Sequence, residues 1–405
     1  MTDTHVPRGA QVRLGTLDGD LHAEARTRID VDGRLIVPGT AHFEGDSEVG
    51  GDLECGSFRS DDGTVHIRGH LIVQKDLTAR DATVEVDGGL QAQGVDVDRG
   101  LRVVGPIRGD SFEVGGILEG GATFDAKRVS VGGKFRLAGK LTAESVEAGG
   151  SIDVADVELE TLEAGGLVRL RGGTVRDSIE VGGRFVAEAP IRFGSLEAGG
   201  VAELRADGTG GSVEVGGMFS AQGNLTFSSL EVGGIGTISG NAQGATVEVG
   251  GKFDVGGALT LTGRLEVGGS ITVGQELSAD RLELGGRMSA RRATFVSGAD
   301  VGGSVDTKEG LRAQRLVLRR KSRASGPLVG GSVELEEKAR AEDIFGDSVE
   351  LRERAMARRI FAATVHLRDG AVADQVTYSR SVQIDSGALV SSPPQKVEQL
   401  PPFPL

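Results

Sequence analysis

The sequence predicts an all-β chain, wound as a three-sided parallel β-helix with a coil period of about 17. Three observations predict it. A segment of the form Val213-Glu214-Val215-Gly216-Gly217 recurs, and the second glycine of the pair falls at 116, 133, 150, 166, 183, 200, 217, 234, 251, 269, 286 and 303, an almost even spacing. A fixed short period marks a solenoid whose units stack on their neighbours. Within a period the apolar residues alternate with period two, the signal of strands rather than helices. Positions one period apart keep their character.

One period fixes the sides. Val129 and Val131 flank Ser130, and Gly132-Gly133 follows. Phe135 and Leu137 flank Arg136, Gly139 breaks the run, and Leu141 and Ala143 flank Thr142 before the next period opens at Val146. Three short strands separated by turns make three sides. The glycine pair is expected to supply positive φ at a sharp corner. The position two after the marker reads Phe135, Ile152, Val168, Phe185, Ala202, Phe219, Gly236 and Phe253, with no charge among them. From Phe185 onward large rings alternate with Ala202 and Gly236, as stacked rings at native packing density require.

In chain order, residues 1–28 are polar and irregular, the pattern of a flexible N-terminal arm. Residues 29–303 form the β-helix with Gly-Gly corners, and coils begin near Ile29. The register wavers over 87–105, where Val84-Glu85-Val86 and Val95-Asp96-Val97 stand only 11 apart. Residues 304–390 continue the β-helix with charged corners. Leu318, Leu335, Leu351, Leu367 and Ile384 keep the inward column, while the corner pairs become Arg319-Arg320, Glu336-Glu337 and Arg352-Glu353. Residues 391–405 are a Pro-rich tail, since proline cannot donate to a strand ladder.

Composition narrows the function. A net charge of −14 argues against a general nucleic-acid binder. With no Trp and one Tyr, the chain lacks the rings on which bases or sugars stack. Cys55 stands alone, so no internal disulfide forms, and it reads as a small core residue. The N-terminus has no signal-peptide apolar run, and no run is long enough to span a bilayer, so the expected location is cytoplasmic. No phosphate-binding Gly-x-x-x-x-Gly-Lys loop occurs, so neither nucleotide nor other cofactor is expected. The histidines read as solvated. His66 and His70, four apart in a strand-and-turn region, do not read as a metal site. Asp61-Asp62-Gly63 lacks the spaced ligands of a calcium loop. No catalytic residue is expected, and the chain does not read as an enzyme.

Two surfaces stand out. The residue between the inward positions of the first strand points outward and reads Glu147, Glu163, Glu180, Glu197, Glu214, Glu231, Glu248, Glu266, Glu283 and Asp300. This acidic ladder is either a solvated face or a face for counterions or a partner. Near the other end Val382, Ile384 and Leu389 run up to the prolines with no amphipathic capping helix. An uncapped strand edge templates further pairing, so these three are candidate polymer contacts.

The 17-residue three-faced coil, the Gly-Gly corners, the repeats Ser332-Val333-Glu334-Leu335 and Ser348-Val349-Glu350-Leu351, and the Pro-rich tail resemble the bactofilin family of polymer-forming cytoskeletal proteins. The resemblance covers roughly residues 29–390. It implies a right-handed β-helix with flexible ends, nucleotide-independent filaments built end to end, and a scaffold for cell shape, often associated with the membrane or another scaffold partner. This chain is longer than a typical family core and lacks the short hydrophobic N-terminal motif of some members. Two other readings compete: a monomeric adaptor binding a partner through its acidic face, and a β-helical enzyme acting on carbohydrate or transferring acyl groups. The missing aromatics and the 17-residue period count against the enzyme.

Overall fold

The computed structural model describes residues 2–402. Among them every regular element is a strand, and the chain is a parallel β-solenoid of about 23 turns with roughly 17 residues per coil. It divides into two compact units, Met1–Glu203 and Leu204–Leu405.

In the first unit, Lys134–Ala148 and Ser151–Ala164 display the coil. They pair in three separate segments: Lys134–Leu137 on Ser151–Val154, Lys140–Ala143 on Asp156–Leu159, and Ser145–Ala148 on Thr161–Ala164. These are the three sides. Phe135, Leu137, Leu141 and Val146 face inward and are buried.

The corner glycines are there for a different reason from the expected one. The left-handed glycines are Gly9, Gly33, Gly45, Gly63, Gly173, Gly310, Gly326 and Gly370, and none belongs to a corner pair. Glycine is required because successive corners touch. A Cβ on Gly150 would lie 2.3 Å from the carbonyl oxygen of Gly133, and one on Gly166 would lie 2.4 Å from that of Gly150. Close approach of two backbones excludes the side chain.

The flexible arm expected over residues 1–28 is coil instead. Thr4–Val6 pairs with Leu21–Ala23, and Gln11–Leu14 pairs with Arg28–Val31. Val6, Leu21 and Ala23 are buried. Leu14 pairs with Val31, but Thr16 pairs with Ile36, because extra residues are inserted there around the left-handed Gly33. That insertion hides the period.

Residues 87–105 keep full register, contrary to the expected irregularity. Gly94–Val97 pairs with Asp76–Ala79 and with Ser111–Val114. Gly100–Val103 pairs with Thr83–Val86 and with Ile117–Gly120. Val84 and Val95 stand so close in sequence because they lie on different sides of the coil. Cys55 is buried, as expected, and burial pushes its thiol up to about 12.

In the second unit, Phe219 pairs with Gly236, which pairs with Phe253, and both rings are fully buried. A Cβ on Gly236 would lie 2.7 Å from the Phe253 ring, so the alternation of ring and glycine is steric. Beyond residue 303 the corner changes construction. Arg319–Ser322, Glu336–Ala339, Arg352–Ala355 and Arg368–Ala371 each close with a 3.0 Å bond from the fourth N–H to the first carbonyl. The third residue of each is left-handed: Lys321, Lys338, Arg354 and Gly370. These are β-turns, and they carry charge where the glycine pair could not. Arg320 of one corner lies 3.2 Å from Glu337 of the next, and Lys338 of that same turn lies 2.7 Å from Glu337. The Lys338 hydrogen bond holds the Glu337 carboxyl below its usual range.

The coil also runs past the expected boundary at 390. Gln395–Lys396 pairs with Thr377–Tyr378 inside the segment assigned to the tail. Residues 403–405 of that tail lie outside the described residues.

The two corner types respond differently to substitution. Gly150→Ala is expected to lower stability by about 1–3 kcal/mol, the usual range for overpacking. Arg320→Ala removes only an exposed ion pair with Glu337 and is expected to leave stability nearly unchanged. Denaturant unfolding of both variants, with hydrogen exchange to locate the loss, distinguishes a steric corner from one chosen for backbone conformation.

Candidate functional site

The acidic ladder is real in register. Glu147 pairs with Glu163, Glu163 with Glu180 and Glu180 with Glu197 in the first unit. In the second, Glu214, Glu231, Glu248, Glu266, Glu283 and Asp300 follow one another in the same way. Parallel strands stack about 4.8 Å apart, so Glu163 and Glu180, like Glu231, Glu248, Glu266 and Glu283, have like charge above and below. Among the described residues none of Glu147, Glu163, Glu180 and Glu197 has an ion-pair partner. The last members of the ladder do. Arg264 pairs with Glu266 and reaches Glu283 at 4.0 Å. Arg319 places Nε 2.6 Å from Asp300, a bond that raises the guanidinium pKa further.

Of the three candidate polymer contacts, Ile384 and Leu389 are exposed and Val382 is half-buried. Ser381–Ile384 pairs with Thr364–Leu367, and Leu389–Val390 with Val372–Ala373. Among the described residues nothing pairs with their other edge.

Sequence reasoning overlooked a third surface, in the segment taken for an arm. His5 pairs with His22, and His22 with His42. The first two rings stack with centroids 5.2 Å apart, and the second pair meets edge-on at 4.8 Å. Each Nε2 faces a carboxylate one coil further on: His5 to Glu24 at 3.2 Å, His22 to Glu44 at 3.4 Å, His42 to Asp61 at 2.8 Å. The Nδ1 atoms of His22 and His42 are 3.1 Å apart. One ligand atom from each of His22, His42 and Glu44 lies within 4.8 Å of the others. Burial draws the Asp61 carboxyl up, but hydrogen bonds from His42 and Arg59 outweigh it and hold the group below its ordinary value. A signal was present but broken: His5, His22 and His42 stand near one coil apart in the sequence, as do Glu24, Glu44 and Asp61, yet the residues inserted around Gly33 upset the even period. His66 and His70, by contrast, take separate partners, Asp87 at 3.0 Å and the N–H of Gly89 at 2.8 Å.

A fourth cluster is structural. Asp343 is buried, and Arg359 donates from Nε at 2.8 Å while Arg358 donates from Nη2 at 3.0 Å. The Arg359 hydrogen bond, opposed by burial and joined by Arg358, holds the Asp343 carboxyl below its usual range.

No family model, curated protein or solved structure matches this chain. No helix among the described residues is long and apolar enough to cross a membrane. Fold and surfaces define a β-solenoid in which some outward columns, the acidic ladder above all, repeat one chemistry from coil to coil.

Two measurements check these clusters. Glu163→Gln with Glu180→Gln is expected to raise stability at low ionic strength by up to about 1 kcal/mol, the scale for facing side chains in a sheet. Added salt should erase the gain, because it screens the parent's repulsion. Equal salt dependence in parent and variant would make the ladder a solvated face only. For Asp343 the folded pKa is depressed, so its contribution is present above the ordinary value of 3.8 and is lost as pH falls through the folded value. Asp343→Asn should cost about 1.5–3 kcal/mol at neutral pH and flatten the acid limb of the stability profile.

Proposed function

We propose that this chain is a structural scaffold that assembles with copies of itself end to end through its terminal coils, without nucleotide and without catalysis. The observation that carries the reading is the last coil. Its strands pair on one edge only, and Ile384 stands 41% exposed where Leu367, one coil earlier, is fully buried; Leu389, 66% exposed, continues the outward column of Met356 and Val372. A further coil set on this edge would satisfy the backbone groups and bury Ile384, which continues the inward column. Full burial of such a side chain is worth about 1.5–3 kcal/mol. The resemblance to bactofilins points the same way, toward cytoplasmic filaments that support cell shape and associate with the membrane.

A second reading rests on the unpaired acids. Glu147 to Glu197 repel one another without compensation inside the chain, which suits an adaptor offering an acidic face to a basic partner.

Electron microscopy and light scattering of the purified chain, with no nucleotide present, separate the two. Filaments or end-to-end dimers are expected for the parent. Ile384→Lys with Leu389→Lys should stop growth at that end and leave nothing larger than dimers. Assembly unchanged in that variant would remove the last coil as the contact. A parent monomeric at all concentrations would favour the adaptor.

A further inference from the structure

We propose that His22, His42 and Glu44 bind a divalent transition-metal ion, with Asp61 as the positioning residue for His42. The argument begins with protons. Asp61, whose carboxylate only accepts, keeps the ring hydrogen of His42 on Nε2 and leaves its Nδ1 lone pair facing His22. His22 Nδ1 stands 3.1 Å away, so with the His22 hydrogen on Nε2 the two lone pairs converge on one point. A metal ion placed there takes both, in place of a single proton shared between the rings.

The spacing suits a metal ion. Nitrogens held 2.0–2.1 Å from a tetrahedral zinc are about 3.3 Å from one another. Glu44 brings the third donor, its side chain half exposed and free to rotate the short distance that closes the set. The fourth position faces solvent and takes water. Asp61, on the Nε2–H of His42 at 2.8 Å, occupies the place of the carboxylate that orients a metal-bound imidazole. The two histidines are neighbours in one parallel ladder, so the backbone fixes their separation before any ion arrives.

Donor chemistry sets the class. Two imidazoles and one carboxylate suit zinc, copper or nickel, whereas calcium and magnesium want oxygen throughout. The acidic ladder offers only oxygen and has no imidazole, so it lacks this donor set. The site does not depend on the assembly reading, because its donors lie on the outward faces of the first coils rather than on the last coil.

Titration of the tag-free full chain with Zn2+ in excess Ca2+ tests the site, since Ca2+ occupies the carboxylate ladder and leaves the imidazoles free. The expected result is one Zn2+ per chain. His22→Ala and His42→Ala should each weaken binding at least about tenfold, and Asp61→Asn by roughly 10–100-fold, with circular dichroism unchanged. Co2+ in the parent should give the visible bands of a low-coordinate nitrogen–oxygen site, a readout that needs no variant to fold. Absence of Zn2+ uptake by the parent would overturn the proposal and leave a shared proton between the rings. Equal Zn2+ uptake by parent and the His22→Ala, His42→Ala double variant would overturn it too.

Discussion

Every feature of this molecule depends on one constraint. The backbone of each coil hydrogen-bonds in parallel register to the next, so a residue lies against its counterpart one coil on. Whatever the sequence places at a position must pack on the residue at the same position one coil away. In the core this favours apolar columns and limits ring size, as Phe219, Gly236 and Phe253 illustrate. At the corners it brings carbonyl oxygens to within about one atom's width of the next Cα, and only glycine fits. Where the corner becomes a β-turn, as at Arg319–Ser322, the prohibition ends and charged residues return.

Outside, the same stacking turns single residues into columns. The columns resolve their charge in three ways. Beyond residue 303 charges of opposite sign on neighbouring corners pair, as Arg320 does with Glu337. The histidines at the start set each imidazole against a carboxylate one coil on. The glutamates from Glu147 to Glu197 do neither. A column of like charge without local compensation costs stability, and nothing in the fold requires it, since threonine or serine would suit an outward strand position equally well.

Much of this was legible in the sequence because a repeat tests itself. The coil period, the buried columns of Val129 and Phe135, the outward glutamates and the buried Cys55 all follow from period-two alternation read one coil apart. What was not legible needed the neighbour in space. The corner glycines looked conformational, because a carbonyl in the adjacent coil leaves no mark on the local sequence. Val84 and Val95 looked like a broken register, because a period cannot say which of three sides a strand occupies. The residues inserted around Gly33 disguised the first coils as an arm, and with them the alignment of His5, His22 and His42.

The ladder also determines how the last coil ends. Each coil completes the backbone hydrogen bonds of the one before it, so the final strands keep an open edge by construction. Natural sheets guard such edges with charge, proline or short strands. Here the guard is uneven. Pro393 and Pro394 interrupt the donor row just before Gln395–Lys396, whose strand is only two residues long. Ser381–Ile384 and Leu389–Val390 have no proline, and they hold the exposed Ile384 and Leu389. The third side is therefore poorly suited to receive a further strand, while the first two remain suited to it. An end contact built on this coil would engage two sides of the triangle and leave the proline-bearing side free.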